Sequence, residues 1–94
     1  MYAVELFHTL RQKEIVGTLP QVIEDLVIDS RSVQPGSVFI CIKGYTVDGH
    51  DFAQQAVDSG ATVIVTERKL DLAGDVCQVI VQSTDRTLGI LASK

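Results

Sequence analysis

Three short runs of this chain are apolar at almost every position: Val38-Phe39-Ile40-Cys41-Ile42, Ala61-Thr62-Val63-Ile64-Val65-Thr66 and Val76-Cys77-Gln78-Val79-Ile80-Val81. A strand that faces water on one side alternates apolar and polar residues. A run without alternation predicts a strand covered on both faces. Between the first two runs, Phe52, Ala53, Ala56 and Val57 recur at helical spacing and predict a helix over 50–59. Ser59-Gly60 ends it, with Gly60 suited to the left-handed position after a helix. Strand, helix, strand in that order predicts parallel pairing with a right-handed crossover.

The flanks are less regular. Val4, Leu6, Phe7 and Leu10 predict an amphipathic helix over 2–12, with Arg11 and Lys13 placed to complement its C-terminal dipole. Ile15-Val16-Gly17 reads as a short strand closed by a turn, and Pro20 excludes a helix across that point. The segment 22–29 carries Ile23, Leu26, Val27 and Ile28 and predicts a strand or edge strand. Gln34-Pro35-Gly36 has the residues of a tight turn, since Pro presets φ and Gly accepts a positive one. Gly44 to Gly49 predicts a loop, and Glu67 to Gly74 a charged connection. Ser83 or Thr84 can cap a last helix whose apolar positions are Leu88, Ile90 and Leu91. The expected fold is an α/β domain of two or three layers, with a small mixed, mostly parallel sheet of about four or five strands. That last helix reaches Lys94 without a Gly or Pro stop signal, which predicts a piece of a longer chain. Residues 1–94 are expected to form one domain.

Composition narrows the function classes. The chain is 46% hydrophobic with two prolines, so it has the material for a core and an expected stability of about 5–10 kcal/mol. Its net charge of −4 argues against a nucleic-acid surface, which needs a basic field. No apolar run approaches the roughly 20 residues that span a membrane. The N-terminus lacks the basic and apolar regions of a secretion signal, so a cytoplasmic location is expected. Cys41 and Cys77 each sit within an apolar run and read as buried small hydrophobes. No His or second Cys stands near either at metal-ligand spacing.

The chemistry-bearing residues gather in two loops. Asp29-Ser30-Arg31 follows a predicted strand, where a hydroxyl and a planar guanidinium can hold a uracil edge, a phosphate or a carboxylate. The same three residues can equally make a strand-end turn in which Asp29 binds backbone N–H groups and pairs with Arg31. Lys43-Gly44-Tyr45-Thr46-Val47-Asp48-Gly49-His50 lies between a buried strand and a helix, the place where open α/β sheets bind ligands. It is neither GxGxxG nor GxxxxGK[ST], the two common phosphate-cradling patterns. Asp48 can cap the helix that follows, and His50 can be an acid–base group or a structural histidine. No nucleophile–base–orienter set and no paired carboxylates stand out, so the chain reads as a binding module.

Taken together these blocks carry a resemblance. Asp29-Ser30-Arg31, Pro35-Gly36-Ser37-Val38-Phe39-Ile40, Lys43-Gly44, Asp48-Gly49-His50-Asp51-Phe52, Ala56 and Ser59-Gly60-Ala61, in this order and spacing, resemble the N-terminal domain of the Mur ligases. These are ATP-dependent amide-bond-forming enzymes of peptidoglycan (cell-wall) precursor synthesis. The wording Gly44-Tyr45-Thr46-Val47-Asp48 and the compact spacing from Asp29 to Pro35 are most similar to the MurE type, which extends UDP-N-acetylmuramoyl-L-alanyl-D-glutamate. The MurF type is the alternative within the family.

The resemblance implies a domain that holds the UDP part of the substrate. Ser30 would contact the uridine diphosphate, Ile28 would add a backbone contact, and Tyr45, Thr46 and Val47 would touch the nucleotide from the second loop. Asp29, Arg31 and Gly44 would support them, and Asp48, Gly49 and His50 would serve as cap and turn. The resemblance also implies a parent enzyme that uses ATP, Mg2+ and either L-lysine or diaminopimelate through further domains. None of those sites matches residues of this chain. The competing reading is a stand-alone interaction module in which the same blocks serve folding only.

Overall fold

A computed structural model of the chain describes residues 2, 7–8, 13–44 and 46–92. Five strands form one sheet: β1 (Lys13–Val16), β2 (Leu26–Val27), β3 (Val38–Ile40), β4 (Val63–Thr66) and β5 (Cys77–Val81), in the order β1-β5-β4-β3-β2. The four strands β2 to β5 run parallel, and β1 closes the other edge antiparallel to β5, with Lys13 opposite Val81 and Val16 opposite Gln78. Helix α1 (Ala53–Asp58) makes the crossover from β3 to β4, and α2 (Thr84–Ala92) follows β5. The expected mixed, mostly parallel sheet is therefore present.

Burial explains the unbroken apolar runs. Along β3 and β4 alternate side chains enter two separate cores, and β5 sends Cys77, Val79 and Val81 into the first of them. Val38, Ile40, Val63, Val65, Val79 and Val81 meet Phe7, Ile23 and Leu91 on one face. Phe39, Cys41 and Ile64 meet Ala53 and Ala56 of α1 on the other. All four residues of β4 are buried, as a central strand between two helical layers requires. Each such Val or Ile contributes about 1.5–3 kcal/mol on burial. The alanines of α1 let its backbone approach the sheet closely.

The crossover ends as its sequence predicts. Gly60 N–H donates to Val57 C=O at 3.0 Å and Ala61 N–H to Ala56 C=O at 3.0 Å, the paired bonds of a Schellman stop. Gly60 takes φ +115°, and a Cβ there would stand 2.8 Å from Pro35 Cα. The helix end thus seats directly on the Pro35-Gly36 turn, and Gly36 N–H donates to Gly60 C=O at 3.0 Å.

Four expectations change. The strand over 22–29 shrinks to Leu26–Val27 at the sheet edge. Its earlier backbone is drawn elsewhere: Val22 bridges Tyr2, and Glu24 N–H donates to Gly36 C=O at 3.0 Å. The helix over 50–59 opens with a 3-10 turn, Gly49–Phe52, and becomes α only at Ala53. Ile90 is 37% exposed rather than in the core with Leu91. Of the helix over 2–12, Tyr2 lies in that bridge instead, Phe7 and His8 are helical, and the remainder lies outside the described residues.

Candidate functional site

The parallel strands point their C-terminal ends the same way, and the two polar loops leave β2 and β3 at that end. Between them lies a cleft of about 490 Å³. Ile28, Asp29, Ser30 and Arg31 form one wall, Gly44, Val47 and Gly49 the other, and Phe39, Ile42, Phe52 and Gln55 the floor and far side. Ile28, Val47 and Phe52 are 53%, 49% and 37% exposed. Three apolar side chains left open around a recess form a surface suited to a flat or apolar ligand group.

The first wall is a 3-10 turn, Ser30–Ser32, capped by Asp29. Asp29 Oδ1 accepts from the Arg31 backbone N–H at 2.9 Å, and Asp29 Oδ2 accepts from Arg31 Nη2 at 2.9 Å. These hydrogen bonds from Arg31 hold the Asp29 carboxyl below its ordinary range and push the guanidinium above its own. Each charge therefore has a local partner, and the turn presents Ser30 between them. Both sequence readings of this triplet are compatible with that geometry: a self-contained turn that also lines a recess.

The second wall is a small hairpin. Lys43 bridges Asp48, Gly44 N–H donates to Val47 C=O at 2.7 Å, and Gly49 N–H donates to Ile42 C=O at 2.8 Å. Gly49 is needed here for space. A Cβ would fall 2.6 Å from Ile42 N and 2.9 Å from its carbonyl oxygen. The hairpin stem can close this tightly only on a glycine.

Asp48 and His50 tie the hairpin to the rest of the sheet. Asp48 Oδ1 accepts from the His50 backbone N–H at 3.0 Å and lies 2.7 Å from His50 Nδ1. His50 Nε2 accepts from the Glu67 backbone N–H at 2.9 Å, just past the end of β4. An acceptor at Nε2 assigns the proton to Nδ1. Glu67 in turn uses Oε2 to accept from Thr84 N–H at 2.9 Å and Thr84 Oγ1 at 3.1 Å, at the start of α2. Hydrogen bonds from the His50 backbone and ring hold the Asp48 carboxyl below its ordinary range, with Arg68 Nη1 3.7 Å from Oδ2.

Both His50 ring nitrogens are occupied, so the ring is set up to hold structure rather than to move a proton. The nearby Cys41 thiol is pushed up to about 12 by burial and by the Asp48 charge, which leaves it inert as a nucleophile at neutral pH. Among the described residues no group of three or more His, Cys, Asp or Glu can hold a metal ion, and no helix is long and apolar enough to cross a membrane. The arrangement is one for binding.

Of the residues singled out in the sequence, Ile28, Asp29, Ser30, Arg31, Gly44 and Val47 come together around the cleft. Thr46 is exposed on the same hairpin but does not line the cleft, and Tyr45 lies outside the described residues. Phe39, Ile42, Phe52 and Gln55 line it without having been singled out. Phe52 and Gln55 stand three residues apart at the helix entrance, a spacing that places two side chains on one face. Phe52 carries a signal in the apolar helix pattern, which reads as core packing, and Gln55 carries none.

Residues 22–92 match the model of the Mur ligase family, catalytic domain. Over 92 residues the chain is 49% identical to the UDP-N-acetylmuramoyl-L-alanyl-D-glutamate--L-lysine ligase of Staphylococcus haemolyticus, covering 98% of this chain and 19% of that protein. It is 53% identical over 70 residues to the UDP-N-acetylmuramoyl-L-alanyl-D-glutamate--2,6-diaminopimelate ligase of Bacillus velezensis, covering 74% of this chain and 14% of that protein. A crystal structure of MurF from Acinetobacter baumannii superposes with a TM-score of 0.71 and 34% identity, over 78% of this chain and 16% of that one. The chain thus spans about a fifth or less of the length of the proteins it matches.

Proposed function

Since this chain belongs to the Mur ligase family, we propose that it is the substrate-binding N-terminal domain of a MurE-type ligase. The domain would hold the uridine diphosphate end of UDP-N-acetylmuramoyl-L-alanyl-D-glutamate. The observation that carries this reading is the convergence of Ser30 with Gly44 and Val47 of the second loop on one cleft at the C-terminal ends of β2 and β3. Such a domain contributes position and affinity to the parent reaction and no reacting group.

In the parent enzyme the amine of the added amino acid, L-lysine or diaminopimelate, would attack a D-glutamate carboxyl group activated by ATP. ATP and Mg2+ do not fit the residues present here. The sequence has no GxxxxGK[ST] run, and the described residues offer no metal-binding group. Both belong to other parts of a cytoplasmic parent, as does the choice of amino acid. The MurE-type reading is preferred over the MurF type because the MurE-type relatives share the higher identities.

The cleft chemistry is consistent with a nucleotide. Its apolar rim can take a base, and the Ser30 hydroxyl offers a neutral donor beside a guanidinium that a phosphate can recruit. Affinity of the domain alone should be about millimolar, because most of the substrate would be held elsewhere. Ser30→Ala should weaken UDP binding about fivefold, one hydrogen bond's worth, with the thermal midpoint unchanged. NMR titration of both proteins checks this, and equal affinities would remove Ser30 from the site.

A further inference from the structure

The second wall of the cleft is held from behind by a side chain that does not line it. We propose that His50 is a positioning residue for nucleotide binding. Its imidazole clamps the Gly44–Asp48 hairpin to the end of the central strand β4 and so sets the width of the cleft. This inference rests on the nucleotide reading above.

Among the described residues the hairpin's own bonds are the Lys43–Asp48 bridge, the Gly44 to Val47 bond, and the Gly49 to Ile42 bond at its base. A hairpin this short is marginal by itself and needs an anchor to stay in one place. The first wall has its own brace in the Asp29 cap, whose Oδ1 accepts from the Arg31 backbone N–H at 2.9 Å. On the second wall the corresponding brace is Asp48, and what Asp48 grips is His50.

His50 is built to transmit that grip. Its side chain is 1% exposed, so the ring has no freedom to swing and no water to compete for its nitrogens. Nδ1 lies 2.7 Å from Asp48 Oδ1 on the hairpin. Nε2 accepts from the Glu67 backbone N–H, 2.9 Å away and 17 residues on. One rigid ring therefore joins a mobile kind of element, a loop, to the most buried strand of the sheet. The line continues through the Glu67 carboxylate to Thr84 at the start of α2. The Arg68–Asp48 contact is longer, at 3.7 Å, and its arginine is 56% exposed, so it adds little to the clamp.

Only one tautomer makes both bonds: the neutral ring with its proton on Nδ1. A ring protonated at Nε2 would turn a donor toward the Glu67 N–H. That gives the proposal a spectroscopic signature independent of any ligand.

Two conservative variants divide the clamp. His50→Asn keeps an N–H near the Nδ1 position, facing Asp48, and gives up the acceptor for Glu67. His50→Gln keeps an acceptor near the Nε2 position and gives up the donor for Asp48. Each should bind UDP about fivefold more weakly than the parent chain in an NMR titration. In hydrogen exchange, the Gly44 and Gly49 amides should lose protection. The amides of Cys41, just past β3, and of Cys77 in β5, bonded to Val65 and Thr62, should keep theirs. Nitrogen shifts of the wild-type ring should show the proton on Nδ1.

UDP binding by both variants at wild-type strength would overturn the positioning role and leave the nucleotide reading intact. Cys41 and Cys77 amides that loosen in step with the hairpin would overturn it too, by making His50 a general stabiliser. A proton on Nε2 would contradict the geometry directly. Failure of the wild type to bind UDP at all would refute the nucleotide reading and the clamp with it.

Discussion

Two hollows of nearly equal size lie at opposite ends of the same parallel strands. The cleft at the C-terminal ends holds about 490 Å³ and the hollow at the N-terminal ends about 500 Å³. They are built differently. The first is walled by two braced loops, one fixed by Asp29 and Arg31 and the other by Asp48 and His50. The second is framed by connections leaving β1 and entering β4 and β5, among them Gly17, Thr18, Thr62 and Asp75. No side-chain pair comparable to Asp29–Arg31 or Asp48–His50 is found among those framing residues. Volume alone would rank the two together. What separates them is whether the polar groups are held in place, since a binding site needs its groups fixed before the ligand arrives.

A glycine substitution should divide the two ends most sharply. Gly49→Ala forces a Cβ to within 2.6 Å of the Ile42 nitrogen. It should cost about 2–3 kcal/mol in urea unfolding, as overpacking against backbone does. Gly74→Ala at the other end meets nothing nearer than Val57 Cγ1 at 3.5 Å, although Gly74 has φ +104°. Its cost should be about 1 kcal/mol, from backbone conformation alone. Equal costs would mean that the hairpin stem is not the close-packed element described.

Acid should loosen the cleft end first. Asp29 and Asp48 both have pKa values lowered by hydrogen bonds, from Arg31 and His50 respectively. A carboxyl whose folded pKa lies below its unfolded value, near 3.9 for Asp, stabilises fully above that unfolded value. The contribution is lost as the pH falls through the lowered folded value. The Arg31 and His50 backbone N–H signals should therefore shift below about pH 4, while the Cys41 and Cys77 amides hold. Loss of all four together would mean one global transition with no local weak point.

The smallest effect concerns β4 and its flank. The Thr66 and Thr62 hydroxyls are both buried without a hydrogen-bond partner. Thr66 is fully buried, whereas Thr62 is only partly buried as a residue and lines the N-terminal hollow. Thr66→Val should raise stability by about 1 kcal/mol by removing an unsatisfied group without changing shape. Thr62→Val should change it less. A destabilised Thr66→Val would mean that its hydroxyl has found a partner.

The sequence made β3, β4 and β5 legible because a strand covered on both faces has little choice but to be apolar throughout. Gly60 was legible because positive φ after a helix leaves few alternatives. β2 was overextended because Ile23, Leu26, Val27 and Ile28 look alike as letters but do different work. Ile23 is buried in the core, only Leu26 and Val27 pair with β3, and Ile28 stands exposed over the cleft. The helix over 50–59 began late because Asp48 caps from two residues before His50 and draws the first turn into 3-10 geometry. In the site, Ser30, Ile28 and Val47 were reached through motif resemblance, and the loop pattern supported their placement. Phe52 is not legible as a cleft residue because helical spacing cannot distinguish a side chain facing the core from one facing a cleft beside it, and Gln55 is a polar helix position with no pattern of its own. His50 was read as acid–base or structural. Its placement between Asp48 and Glu67 depends on residues 17 apart in sequence, which local spacing does not show.

Under the proposed reading, UDP binds in the cleft at the C-terminal strand ends and not in the hollow at the other end. Two-dimensional NMR titration of this chain with UDP up to several millimolar tests it directly, given the affinity of about millimolar expected for the domain alone. Shifts should gather at residues 28–31, 43–50, 52 and 55, while Gly17, Thr18, Thr62 and Asp75 stay still. Shifts gathered at the N-terminal hollow, or none at either end, would contradict it.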